Sequence, residues 1–368
     1  VDPASKTASS IGGNIAENAG GPLCFEYGTT IDNLLSYRMV TPTGEIIEVS
    51  RKDHPRHKLM PDQSAVFEVR DISGGLRSVV RLEADDIRKP GLGKDVTNKA
   101  LSGLPGLQKE GTDGVIVDAV FILHERLAHF KVIVLEFFGR SMENCMLVVN
   151  DVVALRNDIR RRGDLVKITA LEEFGAKYVQ AIEYRKKSSI YEGDPISVLI
   201  LQLDSNDKEA LEEAVHNIVK ICGSYDGVDS FVARDDKEAE IYWEDRHRLS
   251  AIAKRTSGFK INEDVVIPMM AIPEFALYLE ALNLEYMARA YREGLRKTAE
   301  LPGLHEEDTR ITDEQAYARR IIKGDMHGTD HSYKELQMHS HLVFDAITES
   351  YPQLAPPAKA INKRCVEA

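Results

Sequence analysis

Glycine and asparagine are concentrated near the start of the chain. Residues 10–21 (SIGGNIAENAGG) contain four glycines and two asparagines. Glycine adopts positive φ without strain and lets the backbone approach a ligand closely, so the N–H groups of such a segment can contact a phosphate, a ribityl chain or the edge of a ring. Because glycine and asparagine are also ordinary turn residues, a pair of tight turns without a ligand is the alternative interpretation.

A second group of residues with chemical potential lies in residues 242–250, which have helical periodicity. Arg246 and Ser250 are four residues apart and therefore share a helix face, and Trp243 lies one turn before Arg246. Arginine binds a carboxylate through two parallel N–H donors, and the ammonium of Lys260 could complete an anion site. The alternative is a solvated, charged helix face.

Four histidines near the end of the chain, His327, His331, His339 and His341, have a spacing that helices allow. Histidines on one helix can bind zinc. No cysteine or recognised ligand pattern accompanies them, so the favoured interpretation is a solvated helix, and no metal site is assigned.

The first part of the chain is predicted to contain a strand, a turn and a strand over residues 37–49. Residues 51–88 are polar and then only briefly apolar, which predicts an irregular surface excursion. A segment rich in glycine and proline, residues 89–112, then leads into a nearly continuous apolar run, residues 115–123, for which we predict a buried strand.

The second part alternates between strand and helix patterns. Strands are predicted at 131–138 and 197–203, with helices at 142–162 and 208–222. This alternation predicts a βαββαβ layer of the α+β class, with a domain boundary near residues 124–130.

The pattern beyond that layer is mainly helical. Helices are predicted at 237–257 and 272–299, with a short strand at 265–267 between them. The last 60 residues are predicted to be helical and polar.

Composition limits the function classes. The 368 residues are 43% hydrophobic and 29% charged, which is the balance of a soluble globular protein of two domains. A net charge of −12 argues against a general nucleic-acid binder. We expect no transmembrane segment, because the longest apolar runs are far shorter than about 20 residues. The four scattered cysteines, without a CxxC pair, favour a cytoplasmic location.

Residues 10–21, continued by 27–30 (YGTT) and 33–35 (NLL), resemble the FAD-linked oxidases, the family that includes glycolate oxidase, D-lactate dehydrogenase and D-2-hydroxyglutarate dehydrogenase. The resemblance implies an α+β protein. Residues 1–126 would be the C-terminal part of an FAD-binding domain of the p-cresol methylhydroxylase and vanillyl-alcohol oxidase type. Residues 127–368 would be an incomplete substrate (cap) domain, ferredoxin-like with added helices.

A second family signature resembles residues 109–116 (KEGTDGVI), where Lys109 and Asp113 depart from the usual small and apolar residues. The resemblance implies that FAD is the cofactor. The residues it assigns to FAD binding are Ile11, Gly12, Gly13, Asn14, Asn18, Ala19, Gly20, Gly21, Glu110, Gly111, Gly114 and Ile116.

The arrangement of Trp243, Arg246, Ser250 and Lys260 resembles the family's cap helix and the lysine that follows it. In that family the arginine, hydroxyl and lysine positions bind the carboxylate of the substrate, which implies the same role for Arg246, Ser250 and Lys260. Two family parts, an upstream pyrophosphate loop and a downstream histidine motif, have no counterpart in the chain. We therefore expect a piece of a longer protein that is inactive by itself, and no catalytic base is assigned.

The function that the resemblance implies is dehydrogenation of a small 2-hydroxy acid of the D-lactate or glycolate class by hydride transfer to flavin. The electrons would leave to a quinone, a cytochrome, an electron-transfer flavoprotein or an iron–sulfur domain. Two alternatives stay open: a non-catalytic fragment or assembly subunit of a larger flavoprotein, and a flavin-dependent sugar or alcohol oxidase.

Overall fold

The computed structural model describes residues 2–3, 5–89, 98–139, 141–247, 266–279 and 282. Val1–Ile252 together with Val265–Met270 forms one compact unit, which contains every strand described below. Ala253–Asp264 and Ala271–Ala368 form the other unit, of which residues 272–279 are described as helical.

An antiparallel sheet of five strands occupies the first part of the chain, in the order β4-β3-β2-β1-β5. Three short helices precede it, and a fourth follows β4. The elements are α1 (Ile11–Ala16), α2 (Cys24–Tyr27), α3 (Thr30–Asn33), β1 (Leu34–Val40), β2 (Ile46–Arg51), β3 (Ala65–Asp71), β4 (Leu76–Leu82), α4 (Ala84–Ile87) and β5 (Val115–Phe121). The predicted strand, turn and strand over residues 37–49 are confirmed as the β1–β2 hairpin.

One face of this sheet carries the core, and the other carries charges. Tyr37, Val49 and Phe67 point inward and are almost completely buried, together with leucines of the segment between β4 and β5. On the outward face, Asp118, Arg38, Glu48 and Arg70 are successive cross-strand partners, so opposite charges alternate across four strands. Such pairs stabilise a solvated sheet face.

The prediction of an irregular excursion over residues 51–88 is wrong. Two of its segments form β3 and β4, which pair with each other in an antiparallel hairpin. Phe67 and Leu82 are buried there, while Glu68 and Arg81 lie on the outward face. The charged outward residues interrupt the apolar pattern, which is why the strands looked like short apolar stretches.

The prediction that residues 115–123 form a strand is confirmed, but the prediction that this strand is buried is wrong. The strand exists as β5, but it is last in the order of the described sheet. Its inward residues, such as Ile116, pack on the core, whereas Val115, Val117 and Val120 are 67%, 55% and 54% exposed. A strand at this position covers the core with one face only, so an apolar run does not guarantee burial on both faces.

The second sheet has four antiparallel strands in the order β7-β8-β6-β9. Its elements are β6 (His129–Phe137), α5 (Glu143–Arg162), β7 (Val166–Gly175), α6 (Ala176–Ala181), β8 (Ser197–Ser205), α7 (Lys208–Cys222), β9 (Val228–Val232) and α8 (Asp236–His247). Apart from the added α6 and α8, this is the βαββαβ order of a ferredoxin-like layer, which confirms the predicted α+β class.

Helices cover both faces of the second sheet. Val132 and Val134 pack with Tyr242 of α8 on one face. Ile133 and Leu135 alternate with them and are buried on the opposite face, where α7 contacts β6 and α5 contacts α7. Both faces are therefore apolar, as a sandwiched sheet requires.

The helix predictions agree closely with this layer. The helix predicted at 208–222 coincides with α7, whose N-cap is Asp207, and the helix predicted at 142–162 is α5, followed by Gly163 at φ 70°. The described part of the predicted strand 265–267, residues 266–267, is not in a strand. Residues 248–257 and 280–299 of the predicted helices, except Leu282, and the last 60 residues lie outside the described ranges.

Candidate functional site

The glycine-rich segment begins as a short helix rather than as an open loop. The hydroxyl of Ser10 caps α1 by accepting a hydrogen bond from Gly13 N at 3.0 Å. The helix ends after Ala16, and Asn18 follows with φ 50°, a conformation that asparagine tolerates better than most residues.

The two segments predicted to bind FAD lie side by side. Gln108 N donates to Ile15 O at 3.2 Å, and Glu110 N donates to Ala16 O at 2.9 Å. Gly12 lies against β5, because a Cβ atom placed on it would be 3.0 Å from the carbonyl oxygen of Ile116. We call the surface formed by residues 11–16 and 108–116 the glycine surface.

The side chain of Asn18 holds this arrangement together from inside. It is 2% exposed, its Nδ2 donates to Gln108 Oε1 at 3.0 Å, and its Oδ1 accepts from Ile31 N at 2.8 Å. Asn14 is also buried. The Asn18 side chain therefore stabilises the backbone of the glycine surface.

The glycines after α1 allow close packing. A Cβ on Gly20 would be 3.3 Å from Cys24 Sγ, and Ala19 O accepts from the hydroxyl of Thr30 at 2.8 Å. Gly21 has φ 140°, and a Cβ there would collide with the backbone of Asp2.

In the second segment, Gly111 and Gly114 have φ values of 72° and 153°. A Cβ on Gly114 would collide with Met39 Cε and lie 2.5 Å from Val40 O, whereas the space beside Gly111 is open. The side chain of Glu110 pairs with Lys99.

The two residues that depart from the family signature bond to the loop that precedes them. Asp113 accepts from Gly106 N at 2.8 Å, and Lys109 donates to Ala100 O at 3.1 Å.

The residues of the glycine surface fit a flavin. The backbone at Gly111 is open to a ligand, and the exposed side chains of Ile11 and Val115 offer apolar contact to a planar ring. The hydroxyl of Ser9, two residues before the start of α1, is buried without a hydrogen-bond partner. Open backbone and apolar side chains suit a planar cofactor, and the unsatisfied hydroxyl is free to bond to a polar atom of a ligand.

Arg246 is held against the second sheet rather than on a fully solvated face. Its Nε donates to Glu172 Oε2 at 2.8 Å, and the two side chains are only 19% and 17% exposed. Trp243 Nε1 donates to Gln202 Oε1 at 3.1 Å, and the hydroxyl of Tyr178 donates to the backbone of α8. Two other predicted site residues, Ser250 and Lys260, lie outside the described ranges, as do the four histidines weighed as a zinc site.

Sequence reasoning missed a buried polar cluster beside α8. Glu136 is fully buried and accepts hydrogen bonds from the hydroxyl of Tyr184 at 2.9 Å, from Lys187 N at 2.7 Å and from Ser188 N at 2.9 Å. Lys187 Nζ donates to the same hydroxyl at 2.7 Å and lies 4.8 Å from the ring centre of Tyr242. Burial raises the pKa of Tyr184 and lowers the pKa of Lys187. A glutamate inside the apolar run of β6 was the available signal.

Two family models match the chain in the regions that hold these sites. Residues 1–50 match the model "FAD binding domain", and residues 144–294 match "FAD linked oxidases, C-terminal domain". The chain therefore carries two domain types of the FAD-linked oxidases, a family of oxidoreductases.

Several curated relatives are named as oxidases or dehydrogenases of hydroxy acids. Glycolate oxidase subunit GlcD of Escherichia coli K12 is 27% identical over 297 residues, which cover 78% of this chain and 47% of the relative. D-lactate dehydrogenase of Anaerostipes hadrus is 24% identical, over 77% of this chain and 50% of the relative. D-2-hydroxyglutarate dehydrogenase of Stutzerimonas stutzeri is 20% identical, over 78% and 50%. The chain thus spans about half the length of the curated relatives it matches.

Within the described ranges, no helix is long and apolar enough to cross a membrane.

Proposed function

We propose that this chain is part of an FAD-dependent dehydrogenase of small 2-hydroxy acids, of the D-lactate or glycolate class. The observation that carries the proposal is the pair of backbone hydrogen bonds from Gln108 and Glu110 to Ile15 and Ala16. They join two segments that both resemble flavin-binding motifs, in a chain that carries two domain types of the FAD-linked oxidases. The printed names of the relatives support the substrate class.

FAD, when bound, supplies the acceptor for the hydride that leaves the α-carbon of the hydroxy acid. The residues proposed to hold it are those of the glycine surface, with Gly12, Gly13 and Gly111 presenting backbone and Ile11 presenting apolar contact. Asn18 acts on the cofactor indirectly, because it bonds to the Gln108 side chain of the glycine surface and to the backbone of α3 at Ile31.

Arg246 is proposed to bind the substrate carboxylate, together with Ser250 and Lys260. Its guanidinium carries five N–H donors, and Glu172 is shown to accept from Nε. A second carboxylate can therefore bind the remaining donors or displace Glu172. Trp243 and Tyr178, through their hydrogen bonds, hold the helix that positions Arg246.

The wider setting is proposed on the same basis. Residues 1–126 would be the C-terminal part of the FAD-binding domain, and residues 127–368 an incomplete cap domain. The electrons would pass to a quinone, a cytochrome, an electron-transfer flavoprotein or an iron–sulfur domain outside this chain, in the cytoplasm. No nucleic acid is involved.

The test is the visible spectrum of the longer protein that contains this chain. We expect oxidised flavin bands that bleach on addition of D-lactate, glycolate or D-2-hydroxyglutarate. In the variant Arg246→Ala, KM for the acid should rise by about tenfold or more, because a charge-assisted contact to the carboxylate is lost. The control Arg161→Ala removes an exposed arginine of α5 and should leave KM unchanged.

Two other outcomes would contradict the proposal. A colourless protein would favour the assembly subunit. Bleaching by sugars or alcohols that is unaffected by Arg246→Ala would favour a flavin-dependent sugar or alcohol oxidase.

A further inference from the structure

Basic side chains converge on one buried carboxylate, Glu26 of α2. Arg160 donates through Nε to Glu26 Oε2 at 2.9 Å and through Nη2 to Glu26 O at 3.0 Å. Arg156 Nε lies 3.8 Å from the same carboxylate oxygen, and Lys58 donates to the backbone carbonyl of Glu26. Glu26 itself is 8% exposed.

A pocket of about 210 Å³ opens beside this group, and we call it the Arg156 pocket. Its polar walls are Glu26, Arg156 and Arg160, with Lys167 of β7 and Asp164. The negative charge of Asp164 is compensated outside the pocket, because its carboxylate pairs with the exposed Arg162 at 2.7 Å.

Positive charge exceeds negative charge around the pocket. The lining holds three cationic side chains, Arg156, Arg160 and Lys167, and two carboxylates, Glu26 and Asp164. Lys58 lies beside Glu26, and Asp204 is the cross-strand partner of Lys167. Buried cations are costly unless an anion compensates them.

Individual groups show that the cations of this arrangement are not fully compensated. The Nε of Arg156 is buried and has no hydrogen-bond acceptor. Burial, with a smaller contribution from the neighbouring Arg160, lowers the pKa of Lys58 to about 8 and that of Arg156 to about 10. The group would be stabilised by one more acceptor with negative charge.

We propose that the Arg156 pocket binds a small, doubly charged oxyanion of the phosphate class. Arg156 and Lys167 would donate to it, and Arg160 would stay on Glu26. Arginine suits this role because its planar donors match the oxygens of a phosphate, and a volume of about 210 Å³ admits a single such group with a few water molecules. The anion could be inorganic phosphate or the terminal phosphate of a larger molecule.

The test is titration calorimetry on the whole chain with sodium phosphate at pH 7, with sodium chloride at matched ionic strength as the reference. We expect saturable binding of one phosphate, accompanied by a rise in Tm that chloride does not produce. A parallel titration with phenyl phosphate distinguishes the sources. Binding of phenyl phosphate with higher affinity would assign the site to the terminal phosphate of a larger molecule.

Two variants locate the site. Lys167→Gln should weaken phosphate binding by about tenfold or more, because a charge-assisted contact is removed. Arg161→Gln removes the same charge from exposed α5, one residue from Arg160 but outside the pocket lining, and should change the affinity less than twofold. Lys167 is only partly buried, so the first variant should fold. The proposal is overturned if phosphate has no effect beyond that of chloride, or if both variants weaken binding equally.

Discussion

The two sheets of this protein use buried polar side chains in different ways. Beside the first sheet, the buried side chains of Asn18, Thr30, Asn33 and Arg51 bond mainly to backbone groups of irregular segments. The buried carboxylates of Asp32 and Glu26 are the exceptions there, because each pairs with an arginine. In the second sheet, several buried or half-buried polar groups are charged residues that bond to one another or to loop ends, such as Glu136 and the pair Arg246–Glu172. Irregular backbone leaves N–H and C=O groups that side chains must satisfy, whereas a regular ladder satisfies its own.

This difference predicts where function and stability separate. Near the first sheet, Asn18 bonds to Gln108 of the glycine surface, so a change at Asn18 should alter stability and cofactor binding together. Charged side chains of the second sheet bond to one another or to loop ends, so replacing one of them leaves its partner without that hydrogen bond or ion pair.

The largest effect is expected for Glu136→Ala. The substitution leaves two backbone N–H groups and the hydroxyl of Tyr184 without their buried acceptor, and it should lower the free energy of unfolding by about 3–5 kcal/mol. Urea denaturation measures the change. The control Glu212→Ala breaks an exposed ion pair with Lys131 and should cost about 1 kcal/mol or less. Equal losses in the two variants would remove the contrast between buried and exposed charge.

The glycine surface should show the next largest effect. Gly114→Ala forces a Cβ against Met39 and Val40 at a positive φ, and we expect a loss of about 2–4 kcal/mol. Gly111→Ala is the matched control, because its φ is also positive but its space is open, so about 1–2 kcal/mol is expected. Thermal unfolding compares the two. If Gly111→Ala is the more harmful, the packing against β1 does not determine the cost.

Glu172→Gln should separate stability from function in the second sheet. Loss of the carboxylate leaves Arg246 with a weaker, neutral acceptor, which should lower stability by about 1–2 kcal/mol at this partly buried site. In the longer protein, the same change should lower KM for a hydroxy acid severalfold, because Glu172 no longer competes for Arg246. Steady-state kinetics with D-lactate and glycolate measures this. An unchanged or raised KM would show that Arg246 does not exchange partners.

The smallest effect concerns two thiols of the helical layer, Cys145 of α5 and Cys222 of α7. Burial raises the pKa of each to about 12, so almost no thiolate exists at pH 8. We expect neither to react with iodoacetamide in the folded chain, and both to react after unfolding in urea. Peptide mass mapping identifies the labelled sites. Rapid labelling of the native protein would contradict the packing of both helices.

Regular elements of the second sheet could be predicted almost to the residue. The helical period of α7 and its start after Asp207 are local properties, and so are the apolar runs of β6 and β8. Strand β7 escaped prediction because charged residues, Glu172 and Glu173, fall within it. Here tertiary pairing overrides the local pattern.

In the first sheet, prediction from the sequence was less successful. The hairpin of β3 and β4 was missed because charged outward residues such as Glu68 and Arg81 interrupt its apolar pattern, and β5 was expected to be buried because its sequence is a nearly continuous apolar run. The local hydrophobicity shows which residues a strand contains, but the position of the strand in the sheet decides which of its faces is buried.

The sequence by itself determined the class of this protein and the segments that carry it. The glycine-rich motif, the second signature at residues 109–116, and the alternation of strand and helix are all read within short windows, where residue type and spacing set the backbone conformation. They were enough to indicate an FAD-linked oxidase with a ferredoxin-like layer.

Only the tertiary structure decided which distant residues meet. It placed Gln108 beside Asn18, Glu172 beside Arg246, and the arginines of α5 around Glu26. These contacts depend on how sheets and helices pack. The periodicity of the sequence around a side chain does not identify a partner that is distant in the sequence. The glycine surface and the Arg156 pocket therefore belong to the fold rather than to any one motif.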